Sequence, residues 1–522
     1  MSCSVVVRVL LGALFTLPLT GQDGAQALAT FAKVFSPAAK GKKPPKLEDR
    51  RQALAATAGL DSAKAAEALV DGWLVLDEEL TEIDAKRVAV NVRLGELLKG
   101  QEASGQRTLP QPQHTELNEL QQQSVDLRDD ADDHRELQQD VGKRIEQLRQ
   151  RDAALWLLQN VCGRKKYAVA VKVAAGKAVG DSAASVLAEL AAAMARAREP
   201  EEQVVLLDAL ALAGPTARAH AALVISLLQS KSDAVAERAA LALAKLAVPE
   251  GIEPTIALLA RTSGQTQRRV AGALEVLTGQ QFNLNVSSWQ QWWAAEGATV
   301  LAGGVKLGAG TPSSRKENDQ LYYFGIPQDQ SDAILYVIDC SGSMKAPVQI
   351  KMDKPGTAAD GKAPETTRME ACKTELVRAL GLLQPDQKFA ILWYNDLPHL
   401  WEPKMQLATK EATARAQTFV KTLQPAQSTN IHDSLQQGFH LAGRGSQDKH
   451  YGIQIDTIFL LTDGSPTRPD GKPDSTEKIL TGVRGWNALK RITIHCIAIG
   501  KDLNEQFLRQ LASENGGEFK QF

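Results

Sequence analysis

The chain has 522 residues, which is too long for one hydrophobic core and predicts about two to four domains. Apolar residues make up 43% of the chain and charged residues 23%, so most of it is expected to fold. Its 60 Lys and Arg residues balance 61 Asp and Glu residues, for a net charge of -1. This balance argues against nucleic-acid binding, which requires a basic surface.

Residues 1–27 have the layout of a secretory signal peptide. Arg8 precedes an apolar run from Val9 to Leu19, and small residues follow as far as Ala27. The run is shorter than the ~20 apolar residues of a membrane span, so cleavage is predicted, with an uncleaved anchor as the alternative. We therefore expect an exported protein, periplasmic or extracellular in a bacterial envelope, with no membrane span beyond this segment.

A short helical segment, residues 28–75, precedes a predicted coiled-coil hairpin, residues 76–160. The first helix of the hairpin has a heptad seam formed by Leu76, Leu80, Ile83, Arg87, Val90, Leu94 and Leu97. Arg87 is the one charged residue in that seam. After a polar loop with two prolines comes a less regular seam, formed by Leu120, Leu127, Val141, Ile145, Leu148 and Leu155. The pattern predicts an antiparallel hairpin, and two long helices of an ordinary bundle are the alternative.

Residues 165–296 contain a repeat. Triplets rich in alanine and leucine at 211–213, 242–244 and 273–275 fall 31 residues apart, each in a helix that ends at a Gly or Pro break. Paired helices with this period resemble HEAT repeats, which stack into a solenoid because one pair cannot bury its own apolar face. We expect a second protein-interaction surface here, with a featureless spacer as the alternative. Residues 297–320, rich in Gly, Ser and charge, read as a linker.

Residues 321–522 change to short apolar runs that alternate with amphipathic helices. The runs include AILYVID, KFAILWYND, IDTIFLLTD and RITIHCIAIG. Strands that are apolar almost throughout are typical of a mostly parallel sheet with helices on both faces. The predicted fold class is therefore multidomain: a coiled-coil and solenoid region followed by an α/β, doubly wound, Rossmann-like domain. In such a domain, ligands bind at the carboxyl ends of the strands.

Oxygen-bearing side chains stand where these strands end. Those that follow a strand or open a helix at this edge are Asp339, Ser341, Ser343, Thr429 and Asp463. Gly342 lets the backbone turn tightly, so that both serine hydroxyls face one point. Two carboxylates and three hydroxyls, without nitrogen or sulfur, suit a hard divalent cation such as Mg²⁺ or Mn²⁺.

The pattern Asp339-x-Ser341-x-Ser343 with Thr429 and Asp463 resembles the metal-ion-dependent adhesion site of von Willebrand factor A (VWA) domains. The resemblance covers about residues 325–522. It implies that the serines, with or without the threonine, bind the metal directly, and that the aspartates act through water. It also implies an open metal position for an Asp or Glu of a protein partner, with binding abolished by chelation. Mg²⁺ is the expected ion, and Mn²⁺ or Ca²⁺ are alternatives.

Three further features surround this motif. Asp433, in the first turn of the helix after Thr429, either hydrogen-bonds the site loops or suits the helix N-terminus. Residues 345–367 form an insertion that is either a specificity loop or an exposed excursion. After the signal, the cysteines are Cys162, Cys340, Cys372 and Cys496, which form neither a disulfide framework nor a zinc site. Whether Cys340 pairs with Cys372 is left open by the sequence.

The functional hypothesis is an exported adhesion or scaffold protein that captures an acidic residue of a partner through its cation. A partner subunit of an AAA-type ATPase assembly is one alternative, and a structural scaffold without metal-dependent binding is another. No catalysis is expected, because Ser341 lacks the GxSxG context of a nucleophile and the sequence has neither a Walker loop nor a GxGxxG motif.

Overall fold

The chain falls into a helical region and a later α/β region. The computed structural model describes residues 21–37, 44–104, 110–311, 322–328, 331–348, 366–426, 428–442, 454–500 and 503–522. The predicted signal before Gly21, residues 349–365 of the insertion and residues 312–321 lie outside the described residues. The small residues that end the predicted signal fall within the first described helix, which begins at Gly21.

The helical region extends to residue 311. Its α-helices are α1 (Gly21–Val34), α2 (Leu47–Ala56), α3 (Ala63–Ser104), α4 (Gln111–Glu146), α5 (Arg151–Leu157), α6 (Val169–Asp181), α7 (Ala183–Arg196), α8 (Pro200–Ala213), α9 (Ala221–Leu227), α10 (Asp233–Leu246), α11 (Ile252–Arg261), α12 (Gly264–Thr278) and α13 (Val286–Leu301).

Helices α3 and α4 form an antiparallel hairpin. Early residues of α3 pair with late residues of α4, as Asp84 does with Arg135, while Arg93 near the end of α3 pairs with Glu116. Every residue of the first heptad seam is buried, including Arg87. The residues of the second seam do not lie on one helix, because α4 ends before Leu148, and Leu155 lies in α5. The two hairpin helices therefore begin at Ala63 and end at Glu146, both earlier than the predicted bounds of 76 and 160.

Helices α6, α8, α10 and α12 pack one against the next, and α7, α9 and α11 pack against this row. The three alanine-rich triplets lie in α8, α10 and α12. Trp289 of α13 is fully buried at the end of the row, where its Nε1 donates a hydrogen bond to the carbonyl of Asn283 at 2.9 Å. The predicted linker is partly ordered, since α13 runs to Leu301 and Gly308 N donates to the Leu277 carbonyl at 2.8 Å.

One described stretch, Pro200–Leu227, is long and apolar enough to cross a membrane by length and composition. This differs from the expectation that no segment after the signal has these properties. A 3-10 turn over Gly214–His220 divides this stretch into α8 and α9. Apolar side chains of α8, including Val204 and Leu207, are buried in the core of the helical row.

The α/β region begins at residue 322. Its strands are β1 (Tyr322–Tyr323), β2 (Ile326–Pro327), β3 (Ala333–Asp339), β4 (Pro347–Val348), β5 (Thr366–Thr367), β6 (Lys388–Tyr394), β7 (Pro398–Leu400), β8 (Gln406–Leu407), β9 (Thr457–Thr462), β10 (Thr493–Ala498) and β11 (Phe519–Gln521). Its helices are α14 (Arg368–Gly381), α15 (Lys410–Thr422), α16 (Ile431–Leu441), α17 (Thr476–Trp486) and α18 (Glu505–Glu514).

The main sheet has the order β11-β10-β9-β3-β6-β7, with β8 also paired to β6. Strands β11, β10, β9, β3 and β6 are parallel, and β7 and β8 run antiparallel to β6. Alternate residues of β3 enter two separate cores: Tyr336 and Ile338 enter one, and Leu335 and Val337 the other. Burial on both faces explains the continuous apolar pattern of the strand. The predicted fold class, helices followed by a doubly wound, mostly parallel sheet, is confirmed.

The α/β region contacts the helical region at two places. At one, Gln265 of α12 donates to Thr457 Oγ1 of β9 at 3.3 Å, beside a contact of Arg269 with the carbonyl of Arg491. These residues lie at the strand ends remote from Asp339. At the other, the α3–α4 hairpin packs along α16 and α17. The hairpin thus runs beside the helix that follows Thr429.

Candidate metal site

The site begins with the turn after β3. The Asp339 carboxylate accepts a hydrogen bond from Ser341 N at 2.8 Å, which folds the chain back over the end of the strand. A 3-10 turn over Gly342–Lys345 follows, and it places the hydroxyls of Ser341 and Ser343 2.9 Å apart. The residues with positive φ do not include Gly342, so the helical turn, rather than a glycine-only conformation, brings the two serines together.

Asp463 reaches the same turn from the neighbouring strand. Because β9 pairs in parallel with β3, both strands end at the same edge of the sheet. The Asp463 carboxylate accepts a hydrogen bond from Ser343 Oγ at 2.7 Å and from Ser341 Oγ at 3.5 Å. Asp463 is 1% exposed, so this carboxylate is committed to the site rather than to solvent.

Thr429 approaches from the loop before α16. A Cβ built on Gly464 would lie 3.7 Å from Thr429 Oγ1 and 3.8 Å from Ser343 Oγ. These two hydroxyls therefore face the same small space beside Gly464. The Thr429 backbone is fixed by Thr467, whose hydroxyl accepts from Thr429 N at 2.6 Å and whose N donates to the Thr429 carbonyl at 2.9 Å. The structure thus brings all five predicted residues to one edge of the sheet.

Asp339 lies deepest and holds the turn from behind. Its second carboxylate oxygen accepts from Thr462 Oγ1 at 2.8 Å and from Asp463 N at 3.4 Å. Burial and then the Asp463 carboxylate raise the pKa of Asp339 to about 6. The repulsion disfavours the ionised form of Asp339, and a divalent cation bound at this edge would relieve it.

Asp433 is turned mainly toward the helical hairpin. Its carboxylate accepts from Asn430 Nδ2 at 2.9 Å, next to Thr429, and contacts His432 Nδ1 at 2.8 Å. It also forms ion pairs with Arg87 of α3 and Arg128 of α4. Burial alone would raise the pKa of Asp433, but the two guanidinium charges outweigh it and hold the pKa well below its ordinary value.

Two further side chains at the site, Thr462 and Arg368, are not among the predicted residues. Thr462 supports Asp339, and its place directly before Asp463 at the end of a strand was the available signal. Arg368, the first residue of α14, donates from Nη1 to Asp463 Oδ2 at 3.0 Å. Its only sequence signal was its position at a helix start that follows the insertion.

The donor set fits a hard cation. Within the described ranges, no group of three or more His, Cys, Asp or Glu side chains is arranged to hold a metal ion. Hydroxyl groups must therefore supply part of any ligand set at this edge, and three of them converge there with Asp463. A side chain at residue 464 would enter the space that faces the Thr429 and Ser343 hydroxyls, and glycine keeps that space open.

Two buried cysteines and the described ends of the insertion, residues 345–348 and 366–367, flank this site. Cys340 and Cys372 are both buried and free. The described ends of the insertion are joined by the short antiparallel pair β4 and β5, with Pro347 opposite Thr367. The insertion therefore leaves and rejoins the domain next to the Ser341–Ser343 turn.

A cleft of about 1270 Å³ lies elsewhere, between the hairpin, α6 and α17. It reaches His440 at the far end of α16, whereas Thr429 precedes the start of that helix. Some of its charged lining residues pair with one another, as in the 2.5 Å contact of Lys172 with Glu201. We therefore assign the functional chemistry to the strand ends and not to this cleft.

Residues 359–520 match the family description "von Willebrand factor type A domain". Together with the doubly wound sheet, this match identifies the C-terminal region as a VWA domain. The match begins after β3, so the turn from Asp339 to Ser343 lies outside it.

The curated relatives include inter-alpha-trypsin inhibitor heavy chains. Inter-alpha-trypsin inhibitor heavy chain H4 of Homo sapiens is 26% identical over 233 residues, which cover 44% of this chain and 22% of that protein. Heavy chain H2 of Mus musculus is 29% identical over 188 residues, covering 35% of this chain and 17% of that protein. The aligned part of the chain spans about a fifth of the length of these relatives.

Among solved structures, a von Willebrand factor type A protein from Catenulispora acidiphila is similar at a TM-score of 0.28. It is 21% identical and is matched over 37% of this chain and 38% of that chain.

Proposed function

We propose that this protein is a metal-dependent binding protein whose VWA domain offers a bound divalent cation to a carboxylate of a protein partner. The observation that carries the proposal is the convergence of the Ser341, Ser343 and Asp463 oxygens, 2.7 to 3.5 Å apart, beside the Thr429 hydroxyl. Mg²⁺ is the ion that this donor set favours, and Mn²⁺ and Ca²⁺ are the alternatives.

Each residue has a separate task in this proposal. The hydroxyls of Ser341, Ser343 and Thr429 would bind the ion as neutral oxygen donors. Asp463 orients the two serines through its hydrogen bonds, and Asp339 fixes the turn that carries them. Because the hydroxyl donors are neutral, they would cancel little of the positive charge of a cation bound there. The remaining charge favours an Asp or Glu as the incoming ligand.

The rest of the chain fits a binding role outside the cell. The signal-like residues 1–27 support export to the periplasm or beyond in a bacterial envelope, and the curated relatives are named as heavy chains of an inhibitor. The stacked helix pairs, which we interpret as HEAT-like repeats over residues 165–296, supply a second surface for protein contacts. The protein has no proposed catalytic residue.

Titration calorimetry with Mg²⁺, Mn²⁺ and Ca²⁺ tests the cation site directly. We expect saturable binding of at least one ion by the wild-type protein and at least tenfold weaker binding by Ser343→Ala. Ser513→Ala, on the exposed side of α18, serves as the matched control and should bind as the wild type does. Equal affinity of the wild type and Ser343→Ala for every ion would refute the proposed site.

The second arm tests the ligand. An immobilised peptide with a single Glu is compared with the same peptide carrying Gln, each in Mg²⁺ and in EDTA. Metal-dependent retention of the Glu peptide alone is the expected result. If the cation binds but the two peptides are retained equally, the protein is a scaffold with a structural ion, which is the alternative reading of the site.

A further inference from the structure

Arg368 is built into the edge of the site. Its backbone N donates to the carbonyl of Ala346 at 2.9 Å, which ties the start of α14 to the turn that carries Ser343. From there its guanidinium reaches Asp463, with Nη1 3.0 Å from Oδ2 and 3.4 Å from the backbone carbonyl. Asp463 is thus held on two sides, by Ser343 through Oδ1 and by Arg368 through Oδ2.

Gly500 leaves room for the guanidinium. That glycine ends the run after β10 with a φ of +107°, and a Cβ there would lie 2.6 Å from Arg368 Nη2. Only glycine permits this backbone conformation together with such a close approach. The Arg368 side chain is 13% exposed, and none of the described residues accepts a hydrogen bond from its Nε. Its main described partner is therefore the Asp463 carboxylate.

The charge count at the site follows from these contacts. Asp339 and Asp463 contribute two negative charges when ionised, and Arg368 contributes one positive charge. With a divalent cation bound, the cluster would have a net charge of about +1. Without Arg368 the net charge would be about zero. A difference of one charge changes the interaction energy with an ion or an anionic ligand more in a buried site than in water.

We infer that Arg368 is a positioning residue that weakens cation binding and strengthens the binding of an anionic ligand to the bound cation. This inference rests on the proposed function. The guanidinium occupies one oxygen of Asp463, so that oxygen is not free to approach the ion. The same guanidinium adds positive charge beside the open position, so an incoming carboxylate gains from both charges. In the cation-free protein, Arg368 also offsets the repulsion between the Asp339 and Asp463 carboxylates.

The test replaces Arg368 with Gln, which is polar but shorter and removes the charge. By calorimetry, Arg368→Gln should bind Mg²⁺ about tenfold more tightly than the wild type, because the repulsion between guanidinium and cation is gone. At saturating Mg²⁺ it should bind the Glu peptide several-fold more weakly. In EDTA its melting temperature should be lower than that of the wild type, and Mg²⁺ should restore it.

Two variants control for causes other than charge. Arg368→Lys keeps the positive charge, so its Mg²⁺ affinity should stay within about threefold of the wild type. Arg378→Gln removes an arginine from the same helix, where it pairs with Glu375 at 2.7 Å, and should change neither Mg²⁺ affinity nor peptide affinity.

The outcomes separate this inference from the proposed function. If the wild type binds no divalent cation, the proposed function and the inference both fall. If the wild type binds Mg²⁺ and Arg368→Gln binds it equally or more weakly, only the inference is overturned. The inference would also be overturned if Arg368→Lys increased the affinity for Mg²⁺ as much as Arg368→Gln does, because the charge would then not be the cause.

Discussion

Arg87 of α3 and Asp433 of α16 form a buried ion pair across the junction of the helical hairpin and the VWA domain, and each side chain is 4% exposed. Arg128 of α4 lies on the same carboxylate, with Nε 3.8 Å from Asp433 Oδ1, and Arg87 also donates to Gln436 at 2.8 Å. The single charge in the heptad seam therefore serves the contact between domains and not the contact between the two hairpin helices.

Replacing Arg87 with Met should destabilise the protein by about 3 kcal/mol, because it leaves the buried Asp433 carboxylate with less compensation. Urea unfolding followed by tryptophan fluorescence measures the change. Asp433→Asn combined with Arg87→Met should cost less than the sum of the single changes, since the two residues act as a pair.

The control for that experiment is Arg93→Met on the same helix. Arg93 pairs with Glu116 at 2.8 Å, but both side chains are well exposed, so little measurable loss is expected. Equal losses for Arg87→Met and Arg93→Met would contradict the importance of the buried pair.

Stability should also depend on Asp456, at the start of β9. Its carboxylate accepts from Asp332 N at 2.7 Å, Ala333 N at 3.0 Å and Thr457 Oγ1 at 2.7 Å. Burial is the main cause that raises the pKa of Asp456 to about 6. Because the pKa of this carboxyl is higher in the folded state than in the unfolded state, protonation favours folding. This contribution to the free energy of unfolding is complete below about pH 4 and is lost as the pH rises through about 6.

Asp456→Asn should remove that pH dependence, because an amide can accept the two backbone hydrogen bonds and donate to Thr457 without a charge. At pH 7.5 the variant should be more stable than the wild type by about 2 kcal/mol, and at pH 4 the two should be equal. Free energies of unfolding at both pH values measure this. Asp126→Asn, at an exposed position of α4, should show no such difference, and a variant equal to the wild type at pH 7.5 would exclude the effect.

A third prediction concerns the space beside Gly464. Gly464→Val would fill the region that faces the Thr429 and Ser343 hydroxyls, so Mg²⁺ affinity should fall at least tenfold while the fold persists. Thermal stabilisation by Mg²⁺ is the measurement. Gly485→Ala on α17, where a Cβ would meet only Gln139 Nε2 at 3.7 Å, should keep the wild-type response. Retained stabilisation in Gly464→Val would place any ion elsewhere.

A fourth prediction concerns Trp289 at the end of the helical row. Its ring is fully buried and lies edge-on to Phe282, with centroids 5.0 Å apart. Trp289→Ala should therefore destabilise the helical region by about 4 kcal/mol, as expected for a large cavity. Trp293→Ala, at a partly exposed position of the same helix, should cost clearly less in the same unfolding assay.

The strand ends were predictable from sequence for a physical reason. A strand buried on both faces must be apolar throughout, so a polar residue such as Asp339 or Asp463 marks where it leaves the sheet. Parallel pairing then brings these ends to one edge. The approach of Thr429 was predicted from its place in a loop that opens a helix, and the resemblance to a family supported it, because no local pattern joins that loop to the strands.

The contacts that sequence could not supply are those between distant segments with no periodicity. Arg368 and Asp463 are 95 residues apart, and nothing near either residue specifies the other. The break after α4 was missed because Leu148 and Leu155 continue an apolar spacing that the backbone does not follow. The charge of Arg87 at a seam position was visible in the sequence, but its partner Asp433 could not be predicted because it lies in another domain.

The shared carboxylate of Asp433 has a practical consequence for fragment design. A piece cut at residue 321 would retain this acid but lose the guanidinium groups of both Arg87 and Arg128. It would also uncover Trp486, over which the Arg135 side chain lies. Recombinant work on the VWA domain should therefore keep α3 and α4 attached, since the buried contacts of this domain extend beyond the matched residues 359–520.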